Sequence, residues 1–164
     1  MNRLRAIRLA TLLLLGAAAS AGALGAGGGG GGGAGGSSRA GNDADFDAGV
    51  AAVRHEDWTE VRARMDKVVE RNRRNADAYN YLGLAYRHLG RMDDSFRNYE
   101  AALKIDPHHL GALEYLGEAY LQVGRLADAQ VQLKALNRAC WLGCEEQKEL
   151  REKIEAYQRQ AAAR

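Results

Sequence analysis

Cys140 and Cys144 are the only thiols in the chain, and they lie four residues apart in the run Cys140-Trp141-Leu142-Gly143-Cys144. Two thiols at that spacing suit a structural disulfide, a thiol–disulfide relay or the transfer of a soft metal such as copper. Gly143 supplies the backbone freedom that so short a loop needs. In an oxidising compartment two nearby thiols normally pair, and closing this loop contributes roughly 2 kcal/mol by chain entropy. No histidine or methionine lies close in sequence to complete a soft-metal set. A C-x-x-x-C spacing does occur in copper-handling proteins, so the relay and copper readings stay open beside the staple. The four histidines are His55, His88, His108 and His109. His108 and His109 follow Pro107 on a turn, where adjacent side chains rarely share an ion, and both are expected to be solvated. No Ser-His-Asp order, catalytic carboxylate pair or zinc spacing stands out. The expectation is therefore no enzyme, no catalytic residue, no metal and no cofactor.

The elements that position these residues occupy only part of the chain. Thirteen of the 20 glycines lie between Gly16 and Gly41, and the one proline is Pro107. About 120 ordinary residues remain from Asn42 onward, enough for one domain with its own core. The formal charge is +2, but Arg3, Arg5 and Arg8 fall in a segment with the layout of a secretory signal: basic Met1–Arg8, apolar Leu9–Ala19, then small-residue sites at Ala19-Ser20-Ala21 and Ala21-Gly22-Ala23. Without those three arginines the chain carries 20 basic and 21 acidic side chains. Such a balance, with the signs interspersed, offers no electrostatic footprint for nucleic acid. Residues 1–26 are expected to be a signal peptide that directs export. The alternative is an uncleaved anchor, the one route by which this chain would meet a membrane. Residues 27–41 are expected to be a flexible glycine-rich linker, with a reach of roughly 25 Å for ~20 residues.

Sliding the remainder by 34 residues superimposes Tyr81 on Tyr115, Leu82 on Leu116, Gly83 on Gly117, Ala85 on Ala119 and Tyr86 on Tyr120. Gly90, Arg91 and Asp94 meet Gly124, Arg125 and Asp128, and Gly49 lies one further period before Gly83. Within each period the apolar residues recur every three or four positions, as helices require. Gly90 and Gly124 suit left-handed helix stops. Tyr99, Ala102 and Leu103 mark a second helix in one period, and Ala129, Leu133 and Leu136 in the next. Trp58 opens the corresponding helix of the first period, with Val61, Met65 and Val68 on one face. Leu150, Ile154 and Tyr157 form an apolar stripe along a final helix.

This pattern resembles the tetratricopeptide repeat. Tyr79, Leu82, Gly83, Tyr86, Ser95, Tyr99, Ala102 and Pro107 fill it almost completely, and Leu113, Leu116, Gly117, Tyr120, Ala129 and Leu133 fill it again. Leu136 and Trp141 depart from it, where a small residue and a proline are usual. The resemblance implies an all-α solenoid of seven helices: a degenerate repeat over 42–75, repeats over 76–109 and 110–143, and a capping helix over 144–160. Gly83 and Gly117 would each let the second helix of a hairpin approach the first. The chain is similar to small exported bacterial members of that family with a cysteine pair before the last helix.

What the family does is bind other proteins, so the resemblance implies a periplasmic adaptor or assembly factor with a peptide segment of a partner as its ligand. A component of a membrane-bound maturation complex, such as cytochrome c assembly, is a further alternative. The resemblance places Asn80, Tyr81, Leu84, Arg87 and His88 of one repeat on the concave groove, with Glu114, Tyr115, Glu118, Leu121 and Gln122 of the next. Glu114 and Glu118 would repel a carboxylate, so a mixed or basic peptide is the expected ligand.

Overall fold

Side chains able to hold the free amides of a first turn stand ahead of the early helices. Asp43 accepts from the N–H groups of Asp45 and Phe46 at the start of α1 (Ala44–Val53). Asp57 accepts from Glu60 N–H before α2 (Trp58–Arg71), and Asn75 from Ala78 N–H before α3 (Ala76–His88). The computed structural model describes residues 43–163. The expected signal peptide and glycine-rich linker lie outside the described residues.

The second helices of the next two hairpins, α4 (Met92–Ile105) and α6 (Leu126–Ala139), start differently. Neither has a side-chain cap; each follows a glycine with positive φ, Gly90 at 75° and Gly124 at 79°. The left-handed glycine lets Arg91 N–H donate to Tyr86 C=O and Arg125 N–H to Tyr120 C=O, both at 2.8 Å. Each arginine then lies over the ring of that tyrosine, 4.7 Å and 4.5 Å from its centroid, and pairs with Asp94 or Asp128. In the first hairpin the same register holds Glu56, at φ 55°, so a residue with a side chain takes the left-handed turn.

His109 departs from the expectation of a solvated turn residue. Its Nδ1 accepts from Ala112 N–H at 3.1 Å, capping α5 (Leu110–Gln122), and its Nε2 lies 3.0 Å from Asp77 Oδ1. Because Nδ1 accepts, the proton sits on Nε2 and is donated to Asp77. That bond holds the Asp77 carboxyl below the usual carboxylate range. His108 is exposed, as expected.

With α7 (Glu145–Ala162) the described residues form seven helices and no strand: three antiparallel hairpins and a final helix. No helix among them is long and apolar enough to cross a membrane. Successive first helices α3 and α5 touch, whereas α4 and α6 do not pack comparably on one another, so the stack curves toward its first helices. One core gathers Val61, Met65, Val68, Leu82 and Ala85, and another gathers Tyr99, Leu113, Leu116, Leu136, Leu150 and Ile154. Val61 and Val68, bulky for this pattern, are fully buried, as is Leu136.

The glycine hollows explain the close packing. A Cβ on Gly49 would lie 2.6 Å from Met65, and one on Gly83 2.5 Å from the Tyr99 ring, so in both hairpins the second helix fills the hollow. Ser95 Oγ locks the second of these by donating to Gly83 C=O at 2.8 Å. The third hairpin corrects the sequence expectation: the hollow at Gly117 holds Leu150 of α7, 2.5 Å from a Cβ there, and not a residue of α6. The Tyr99 hydroxyl is buried without a hydrogen-bond partner. Tyr99→Phe keeps the ring and removes the orphaned hydroxyl, so it should stabilise the chain by about 1 kcal/mol, a rise of roughly 4 °C in melting midpoint by calorimetry.

Candidate functional site

Helical spacing puts Asn80, Tyr81, Leu84, Arg87 and His88 along α3, but the structure does not use them alike. Asn80 and Leu84 are buried, and the Asn80 amide packs against Gly111 at the start of α5. Tyr81 is half-buried, with its ring edge-on to Phe46 of α1 at 5.8 Å. His88 stacks on Trp58 of α2, with centroids 3.8 Å apart and planes 9° from parallel. Partial burial and the neighbouring Arg87 charge push the His88 imidazole below its usual pKa.

Arg87 joins the second and third repeats through an ion pair. Its guanidinium donates to Glu118 Oε2 at 2.5 Å and lies 5.7 Å from the Tyr115 ring centroid. Lys153 of α7 also donates to Glu118, from the other side. Burial alone would raise the Glu118 carboxyl; Lys153 and Arg87 outweigh it and hold that carboxyl below the ordinary range. Glu118 is therefore a paired carboxylate between two cations of its own chain, and the reason for expecting a basic peptide falls away.

Glu114 is not on the open face either. It is 5% exposed, its Oε1 has no hydrogen-bond partner, and Lys153 Nζ stands 3.8 Å away. Glu149 of α7 completes a group of three carboxylates whose oxygens lie within 4.8 Å of one another. The Lys153 ammonium supplies the positive charge among them. Burial first, then the carboxylates of Glu149 and Glu118, push the Glu114 carboxyl up to about 8. Tyr115 is half-buried, and burial beside these acids pushes its phenol up to about 12.

Leu121 and Gln122, one turn beyond Glu118, line an open cleft of about 360 Å³ with Arg87, Lys153 and Tyr157. The cleft thus takes one wall from each of α3, α5 and α7. The helical period of the sequence located the α3 and α5 residues; Lys153 and Tyr157 entered only through the docking of α7. Lys153 had one visible signal, its place three residues after the buried Leu150.

Cys140 and Cys144 bracket the turn between α6 and α7, with Cα atoms 5.7 Å apart and sulfurs at disulfide distance. Cys140 is buried in the second core, while Trp141 and Leu142 between them are 82% and 79% exposed.

Two tetratricopeptide repeat models match the sequence, over residues 46–108 and 90–139. No curated protein sequence is similar to it. Among solved structures, the fold is similar to the Sgt2 TPR domain from Aspergillus fumigatus, at 18% identity and TM-score 0.66 over 74% of this chain and 82% of that one. It is also similar to the TPR2B domain of yeast Sti1 in its pHsp70 complex, at 17% identity and TM-score 0.66 over 72% and 96%. The third is the Yersinia enterocolitica type III secretion chaperone SycD in complex with a peptide of the translocator YopD, at 16% identity and TM-score 0.61 over 70% and 87%. At such identities the likeness is one of fold. The matched repeat models, the 34-residue period and the stacked hairpins agree, and the chain belongs to the tetratricopeptide repeat family.

Proposed function

We propose that this chain is an exported, periplasmic adaptor or assembly factor that holds a segment of another protein against its concave face. The observation that carries the reading is the open cleft where α3, α5 and α7 meet, walled by Arg87, Leu121, Gln122, Lys153 and Tyr157. An arginine and a tyrosine beside an aliphatic and amide side chains form the kind of surface on which interface energy concentrates. Two of the similar folds are complexes with pHsp70 and with a YopD peptide, which supports a peptide ligand here. The basic, apolar and small-residue order of Met1–Ala23 supports export, and the cysteine pair at bonding distance suits an oxidising compartment.

Site-specific photocrosslinking in the native host tests this. A photoreactive side chain at Gln122 should capture one protein, and the same group at Val131, 54% exposed on α6, should not. Arg87→Ala should reduce the Gln122 product at least fivefold. Equal capture from both positions, or none from Gln122, would remove the cleft as the docking site.

A further inference from the structure

Lys153 stands one period after Ala119 and two after Ala85, both of which are fully buried. Leu150 is in phase with Leu116 and Leu82. The final helix therefore keeps the register of a first helix but carries a lysine where its predecessors bury an alanine. An ammonium cannot be buried there unpaired, since desolvation alone would cost several kcal/mol. Instead α7 packs more extensively on α5 than α5 does on α3, and Lys153 reaches the α5 carboxylates. It donates to Glu118, with Nζ 3.5 Å from Glu149 and 3.8 Å from Glu114.

The charges around Glu114 can be counted element by element. From α5 come Glu118 and Tyr115; from α7 come Glu149 and Lys153; from α3 comes Arg87, paired to Glu118, with Tyr81 beyond it. Among the described residues, α4 and α6 contribute no ion pair to the group. Burial holds both tyrosines protonated by raising their phenols. With a proton on Glu114, two carboxylates face two cations and the cluster is neutral. Without it, a third carboxylate shares the one ammonium, and its buried Oε1 has no donor.

We infer that α7 is a pH-sensitive wall of the concave cleft, closed on α5 while Glu114 carries its proton and loosened once that proton is lost. The inference rests on the cleft being the partner site, whose α7 wall is formed by Lys153 and Tyr157. The sign follows from linkage. Docked, Glu114 holds its proton up to about 8; released into water it returns toward the ordinary 4.5. The closed state binds the extra proton between those values, so closure is strongest at the acidic end and weakens as pH rises. Between pH 7 and pH 9 the opening constant should rise about tenfold.

Hydrogen exchange on the full chain at pH 6, 7, 8 and 9, corrected for intrinsic rates, reads that change directly. Protection across α7 should fall about tenfold from pH 7 to pH 9 while α3 amides hold steady. Glu114→Gln keeps the shape and an amide donor without the titration, so α7 in that variant should vary less than twofold over the series. Lys153→Met should lower α7 protection at every pH, with helicity of the other six helices checked by circular dichroism. An α7 signal that ignores pH in the wild type, or a Glu114→Gln chain that keeps the response, would overturn the inference. Crosslinking from Gln122 in the same buffers separates the two readings. Capture without an exchange response leaves the docking site and removes the gate; the response without capture leaves the gate and removes the partner site.

Discussion

Gly83→Val should destabilise the chain by roughly 3 kcal/mol and loosen α3 from α4. The first added carbon would lie 2.5 Å from Tyr99 Cδ1 and 2.6 Å from Cε1, inside any tolerated contact. Tyr99 has no exposed surface through which to retreat, and Ser95 ties α4 to the carbonyl of that same glycine. Relief requires the helices to part, which breaks the Ser95 bond and opens the core between them. Urea unfolding should show the loss as a lower midpoint, and a loss below 0.5 kcal/mol would contradict the packing described for this hollow. Valine's helix propensity is a few tenths of a kcal/mol better than glycine's, which offsets only a small part of that loss.

Leu150→Ala should cost about 3–5 kcal/mol, the upper part of the range for emptying a buried leucine site. Leu150 is fully buried and is the side chain that occupies the hollow at Gly117, so its loss leaves two facing surfaces without a filler. Ile154 is the other well-buried apolar residue of α7, and it cannot close that gap from one turn away. The expected readouts are a lower thermal midpoint and exchange-competent α7 amides at a pH where the wild type protects them. A variant that melts like the wild type would show that α7 contributes little to the core of the third hairpin.

Much of this fold was written in the spacing of a few residues. The 34-residue offset that aligns Leu82, Gly83 and Tyr86 with Leu116, Gly117 and Tyr120 is a local signal, because each residue meets the same neighbours in every repeat. Gly90 and Gly124 were legible for the same reason: a helix stop needs positive φ, and few residues besides glycine take it without strain. The site was less legible. Arg87 and Glu118 lie on the expected faces, but their pairing depends on the approach of α3 to α5. Lys153 is not part of the apolar stripe of Leu150, Ile154 and Tyr157, and only the placement of that helix brings it to Glu118. Glu114 was expected on an open surface because helical phase does not reveal what covers a face; α7 covers it. His109 was expected to be solvated because a histidine cap depends on which ring nitrogen accepts, and neither composition nor period encodes that.

The turn of the first hairpin is built with less than those of its successors. Where Gly90 and Gly124 turn without strain beneath an arginine laid over a tyrosine, its turn is made by Glu56 in the left-handed region, and the matching positions are Asp57 and Ala52. In a linear array each unit's stability adds to those of its junctions, so a poorer terminal unit decides where melting begins. Heat would peel this stack from its amino-terminal end, like a zipper opened at the pull, while the hairpins nearest the cysteine pair are the last to separate.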